Sequence, residues 1–119
     1  MPEEHKEDIE RRAVPRYPVE VSVTFRWLDD SVEGTTMDLS VRGCTITVAS
    51  PVLPPLTRGS FLILTLMLPH ETQPVLINPA VVRWVQGVRF GVDFVSNRPA
   101  DMQRLSRFLE GVAGAEQAS

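Results

Sequence analysis

An all-β barrel of six antiparallel strands followed by one C-terminal helix is the fold this sequence predicts, on three observations. Apolar residues alternate with polar ones in short runs, separated by turn residues, from Val19 to Phe94. Only one stretch, after Pro99, carries apolar residues at helical spacing. The chain has 119 residues, enough for a single domain, and closure into a barrel hides the edges of that many strands most completely. An open sandwich is the other arrangement that the strand count permits.

Residues 1–10 are polar and mostly acidic and are expected to form a flexible arm, which leads into Arg11, Arg12 and Arg16. From Val19 to Trp27 the pattern is strict: Val19, Val21, Val23, Phe25 and Trp27 share one face, as a half-buried strand requires. Asp29, Asp30 and Ser31 supply turn residues before a second strand over Val32 to Met37, which a polar break beginning at Asp38 ends. Gly43 closes the break, and Cys44, Ile46 and Val48 begin a third strand. The prolines at 51, 54 and 55 then force a loop, since proline donates no ladder hydrogen bond. Phe61 to Leu68 is nearly all apolar, which fits a strand buried on both faces or an amphipathic strand covered by the helix. Val75 to Trp84, made irregular by Pro79, and Val88 to Phe94 are the last two strands, joined around Gln86 and Gly87. Ser96 or Asn97 is the expected cap of a helix with Pro99 in its first turn and an apolar stripe of Met102, Leu105, Phe108, Leu109 and Val112. The domain therefore spans residues 11–112, and residues 113–119 are expected to be a disordered tail.

Composition narrows the function. A hydrophobic fraction of 43% with 23% charged residues is that of a soluble globular protein, and a formal net charge of −3 argues against a general polyanion binder. Any anion site must be local. One cysteine, Cys44, permits neither an intrachain disulfide nor a four-cysteine zinc site, and is most simply a small buried hydrophobe. The acidic N-terminus lacks the apolar stretch of a signal peptide, and the longest apolar run is too short to span a bilayer, so a cytoplasmic protein is expected. His5 and His70 are isolated, which leaves neither a metal site nor a nucleophile with its base; no metal, no cofactor and no catalysis are expected.

Two clusters combine groups that a core would not hold. Arg11, Arg12 and Arg16 lie just before the first strand, and Asp38, Ser40 and Gly43 lie between the second and third. Guanidinium groups bind phosphate bidentately, pair with the O6 and N7 edge of guanine, and stack on its face. A carboxylate such as Asp38 accepts from the N1 and N2 donors on the opposite edge of that base. Ser40 can donate or accept, and Gly43 permits a positive φ or a close approach. Taken alone, the arginines could be a solvated patch paired with Glu3, Glu4, Glu7 or Glu10, and the second cluster an Asx-type turn.

Together, Arg12-x-x-x-Arg16 and Asp38-x-Ser40-x-x-Gly43 resemble the two motifs of PilZ domains, RxxxR and (D/N)xSxxG, in the family's order and with a strand between them. The resemblance covers roughly residues 10 to 112. It implies a six-stranded barrel with cyclic dimeric GMP (cyclic di-GMP) as ligand, Arg12 and Arg16 holding phosphate and guanine, and Asp38 and Ser40 completing the site. A basic residue directly before RxxxR goes with an intercalated ligand dimer in some members, so Arg11 is a candidate contact to a second nucleotide, although Ala13 stands where relatives have a further arginine. Trp84, seven residues before Gly91, is similar to a tryptophan placed beside the ligand in some members. The implied role is a bacterial second-messenger receptor whose surface changes for an effector protein in motility, adhesion or exopolysaccharide control. The alternative is an adaptor of the same fold that binds no nucleotide. A nucleic-acid barrel is disfavoured, because most aromatics fall at alternating core positions and no strand face is lined with basic residues.

Overall fold

The computed structural model describes residues 14–118, with side chains through Gly114. Six strands form one closed antiparallel barrel in the order β1-β2-β3-β6-β5-β4, with β4 returning to pair with β1. They are β1 (Ser22–Trp27), β2 (Asp30–Leu39), β3 (Gly43–Thr47), β4 (Phe61–Met67), β5 (Val75–Gln86) and β6 (Arg89–Phe94), followed by α1 (Pro99–Ala118).

The alternation read in β1 holds: Val21, Val23 and Phe25 are buried, while Val19 and Trp27 are partly so. Regular pairing begins only at Ser22, because the Val21 amide donates to the Thr36 hydroxyl, which in turn donates to the Val19 carbonyl. The β1–β2 turn is Leu28 and Asp29, one residue earlier than the sequence suggests, with Leu28 at φ 57°. β2 runs through Asp38 to Leu39, past the expected break. β4 is the amphipathic alternative: Leu62, Leu64 and Leu66 point inward, while Phe61 and Met67 are exposed. The hairpin joining β5 to β6 turns at Gly87 and Val88, with Gly87 at φ 64°.

The core fills the barrel and is capped by α1, whose Leu105 and Leu109 join the same buried cluster. Phe25 and Phe90 meet edge to face at its centre, with ring centroids 5.1 Å apart. Cys44 is fully buried; desolvation, with the charge of Asp38 adding and that of Arg16 opposing, pushes its thiol pKa far up, so the group stays protonated.

The cap of α1 is neither Ser96 nor Asn97. The Arg98 carbonyl accepts the first helical hydrogen bond, from Met102, and Pro99 takes the first helical position. Asn97 is drawn away by its bridge to Ile77. In place of a capping hydroxyl, the buried Asp101 carboxylate receives Arg98 Nη2 at 2.8 Å, Arg104 Nη2 at 2.6 Å and the Leu76 amide at 3.3 Å. Arg104 also donates to the carbonyls of Gln73 and Pro74 and to Glu71, so the helix start is clamped to the loop between β4 and β5. Burial alone would raise the Asp101 pKa, but the hydrogen bonds from Arg104, Arg98 and Leu76 outweigh it and hold the carboxyl below its ordinary range. At its other end the helix continues to Ala118, where the sequence reading has a tail from residue 113; Ala113, Ala115 and Gln117 are strong helix formers and no proline intervenes.

Candidate functional site

The segment carrying Arg16 is strapped to β2. Tyr17 and Leu39 exchange both backbone hydrogen bonds at 3.0 Å, which sets Arg16 beside Asp38, with Arg16 Nη1 3.6 Å from Asp38 Oδ1. Asp38 Oδ1 also accepts the Thr45 amide at 3.1 Å. A bulge makes this possible. In the pairing of β2 with β3, Thr36 faces Ile46 and Asp38 faces Thr45, leaving Met37 as the extra residue, and such an insertion re-aims the side chain that follows.

A second bulge shapes the opposite side. Val82 pairs with Val92 and Trp84 with Gly91, so Arg83 is the extra residue in β5, and the three buried residues Ala80, Val81 and Val82 are followed by exposed Arg83 and Trp84. The Trp84 indole lies against Gly91, where a Cβ would collide with its ring nitrogen. Arg83 Nε donates to Asp93 Oδ2 at 2.6 Å across the strands.

Between these sides opens a cleft of about 840 Å³, whose wall includes Arg16, Ser40, Arg42, Arg58, Arg83 and Trp84. Four guanidinium groups in one concavity make it locally cationic on a chain of net charge −3. The indole is 41% exposed, which leaves a ring face for a planar base to stack on.

Of the residues the sequence singled out, Arg16, Ser40 and Trp84 line this cleft, and Asp38 joins it through Arg16. Arg11 and Arg12 lie outside the described residues. Ser40 is buried, and its hydroxyl accepts the Arg42 and Gly43 amides and donates to the Gly43 carbonyl, each at 3.1 Å. It therefore shapes the turn that presents Arg42. Gly43 serves through close approach rather than positive φ: a Cβ there would strike the Val92 carbonyl oxygen across the β3–β6 pair. The convergence of Arg42, Arg58 and Arg83 on the cleft was not legible, because it depends on β3 pairing with β6, on the bulge in β5 and on the bonding of the Thr57–Ser60 turn to Val82. Among the described residues no group of histidine, cysteine, aspartate and glutamate is arranged to hold a metal ion. No described helix is long and apolar enough to cross a membrane.

Comparison with known proteins agrees with this fold. The family profile of the PilZ domain matches residues 10–111. Among solved structures, the chain is similar to the Bacillus subtilis inhibitor of motility MotI/DgrA, with 19% identity and a TM-score of 0.71 over 82% of this chain and 48% of that one. It is similar to the PilZ domain of CeSA from a cellulose-synthesizing bacterium, with 19% identity and a TM-score of 0.65 over 83% of this chain and 98% of that one. It is also similar to Escherichia coli YcgR, solved in complex with c-di-GMP, with 15% identity and a TM-score of 0.73 over 91% of this chain and 48% of that one. The chain thus spans about half the length of MotI/DgrA and of YcgR. No curated protein sequence matches it.

Proposed function

Because the chain belongs to the PilZ domain family, we propose that it is a non-enzymatic receptor for cyclic di-GMP, bound non-covalently in the arginine cleft. The observation that carries this reading is convergence: Arg16 from the first motif and Asp38 and Ser40 from the second meet around a cleft that also holds Trp84. In this reading Arg12 and Arg16 hold phosphate and the guanine edge, Asp38 accepts from the guanine N1 and N2 donors, and Trp84 stacks on a base. Ser40 acts by fixing the turn beneath the ligand, and Arg11 contacts a second nucleotide.

The ion pair between Arg16 and Asp38 is partly exposed, with side chains 54% and 31% accessible, so it is weak and readily exchanged for ligand contacts. In this reading ligand binding engages Arg12 and alters the surface offered to a cytoplasmic effector protein, with motility, adhesion or exopolysaccharide production as the output. Such a change requires the ligand to favour one arrangement over the other, and the contacts of Arg12 supply that difference.

Calorimetric titration of the protein with cyclic di-GMP, against GTP and cyclic di-AMP, tests the proposal. Saturable binding selective for cyclic di-GMP is expected, and Arg16→Ala should weaken it by at least about tenfold. Absence of binding at high micromolar ligand would overturn it and leave the adaptor reading, in which the barrel serves protein contacts alone.

A further inference from the structure

The cleft has two cationic sides, and only one belongs to the sequence motifs. On the far side, Arg58 sits at the tip of a turn built to hold it still. Leu56 and Ser60 are buried on either side of the tip. The Ser60 amide donates to the Thr57 carbonyl at 3.0 Å, the Thr57 amide donates back to Ser60 Oγ at 3.2 Å, and Gly59 takes a φ of 93°. The turn is laced to β5 by Gly59 N to Val82 O at 2.8 Å and Val82 N to Ser60 O at 2.9 Å, immediately before Arg83. Among the described residues Arg58 enters no ion pair. Arg83 spends its Nε on Asp93, which orients the guanidinium and leaves both Nη nitrogens without a protein acceptor among those residues.

We propose that Arg58 and Arg83 form a second phosphate-binding wall, which takes the phosphodiester of a cyclic dinucleotide that faces away from Arg16. The inference rests on the reading of the cleft as a cyclic di-GMP site. A cyclic dinucleotide carries two phosphodiesters on opposite sides of its ring, each with one negative charge, so a single cationic wall would leave one of them to water. Guanidinium groups on β5 and its flanking turn, separated by β3 and β6 from Arg16 beside β2, offer the second phosphodiester a partner of its own, and the Nη edge of Arg83 is the edge that binds phosphate oxygens bidentately. The second wall therefore favours cyclic dinucleotides over mononucleotides.

Calorimetry with cyclic di-GMP and with GMP, on wild type and on the double variant Arg58→Ala/Arg83→Ala, tests this wall. The double variant should lose about tenfold or more in affinity for cyclic di-GMP while GMP affinity changes by less than about twofold, whereas Arg16→Ala should weaken both ligands. A parallel loss for both ligands in the double variant would mean that the arginines act only through their long-range field, which overturns the proposal. Wild-type affinity for cyclic di-GMP in the double variant also overturns it while leaving the receptor reading intact. No binding of cyclic di-GMP by wild type overturns both. Arg58→Ala alone alters an exposed side chain that makes no ion pair, so it reports on binding even where removal of Arg83 disturbs Asp93.

Discussion

At the scale of single residues, two glycines of the site do opposite work. A methyl group at Gly43 would meet a backbone carbonyl that cannot move without opening the β3–β6 pair, whereas the atoms nearest one at Gly91 belong to the indole of Trp84, an exposed ring that can rotate away. Gly43→Ala should therefore cost about 1–3 kcal/mol of stability, seen as a lower Tm. Gly91→Ala should leave Tm nearly unchanged yet lose about 1–3 kcal/mol of cyclic di-GMP binding, matching Trp84→Ala, because the stacking face is displaced. An equal drop in Tm for the two variants would contradict the distinction. The motif residues were legible in the sequence because their types and spacing are local. What Ser40 and Gly43 do was only partly so: the serine hydroxyl is consumed by its own turn, and the glycine answers a strand nearly fifty residues away.

At the scale of elements, the start of α1 is fastened by a buried carboxylate rather than by a capping hydroxyl. Asp101→Asn keeps the shape but removes the charge that gathers Arg98, Arg104 and the Leu76 amide. A loss of about 2 kcal/mol is expected at neutral pH, after allowance for the exposure of Arg98, with faster hydrogen exchange along α1. The pH dependence has a definite sign. Since the folded pKa of Asp101 lies below its unfolded value near 3.8, its contribution is full above that value and is lost as pH falls through the folded pKa. Wild type and Asp101→Asn should thus differ in Tm at pH 7 and begin to converge only as pH falls below about 4; a constant gap would contradict the assignment. All six strands and the helix were visible in hydrophobic periodicity, yet the bulges at Met37 and Arg83 were not. They depend on which strand lies alongside, and a single extra residue in a pairing leaves no mark in the alternation of one strand. The cap was misplaced for a similar reason, because Asn97 is claimed by Ile77, twenty positions upstream.

At the scale of the whole molecule, closure of the barrel joins both walls of the cleft to one core. Every strand that frames the site also contributes to the cluster around Phe25 and Phe90, so the site and the fold are expected to be lost together in one cooperative transition. The fold class was legible because a short chain of alternating strands has few ways to hide its edges. The helix joins that core through Leu105 and Leu109, as its apolar stripe implied. Cys44 turns this cooperativity into a chemical clock. Its sulfur is sealed within β3 and kept as a thiol, so an alkylating reagent can reach it only when the barrel opens, and the rate of modification counts opening events one molecule at a time. A ligand that binds only the closed barrel must slow that clock by a factor of one plus the ratio of free ligand concentration to Kd, about a hundredfold at a hundred times its Kd. The protein thus carries a built-in chemical reporter for the proposed binding of cyclic di-GMP, readable by mass and independent of whether any effector is known.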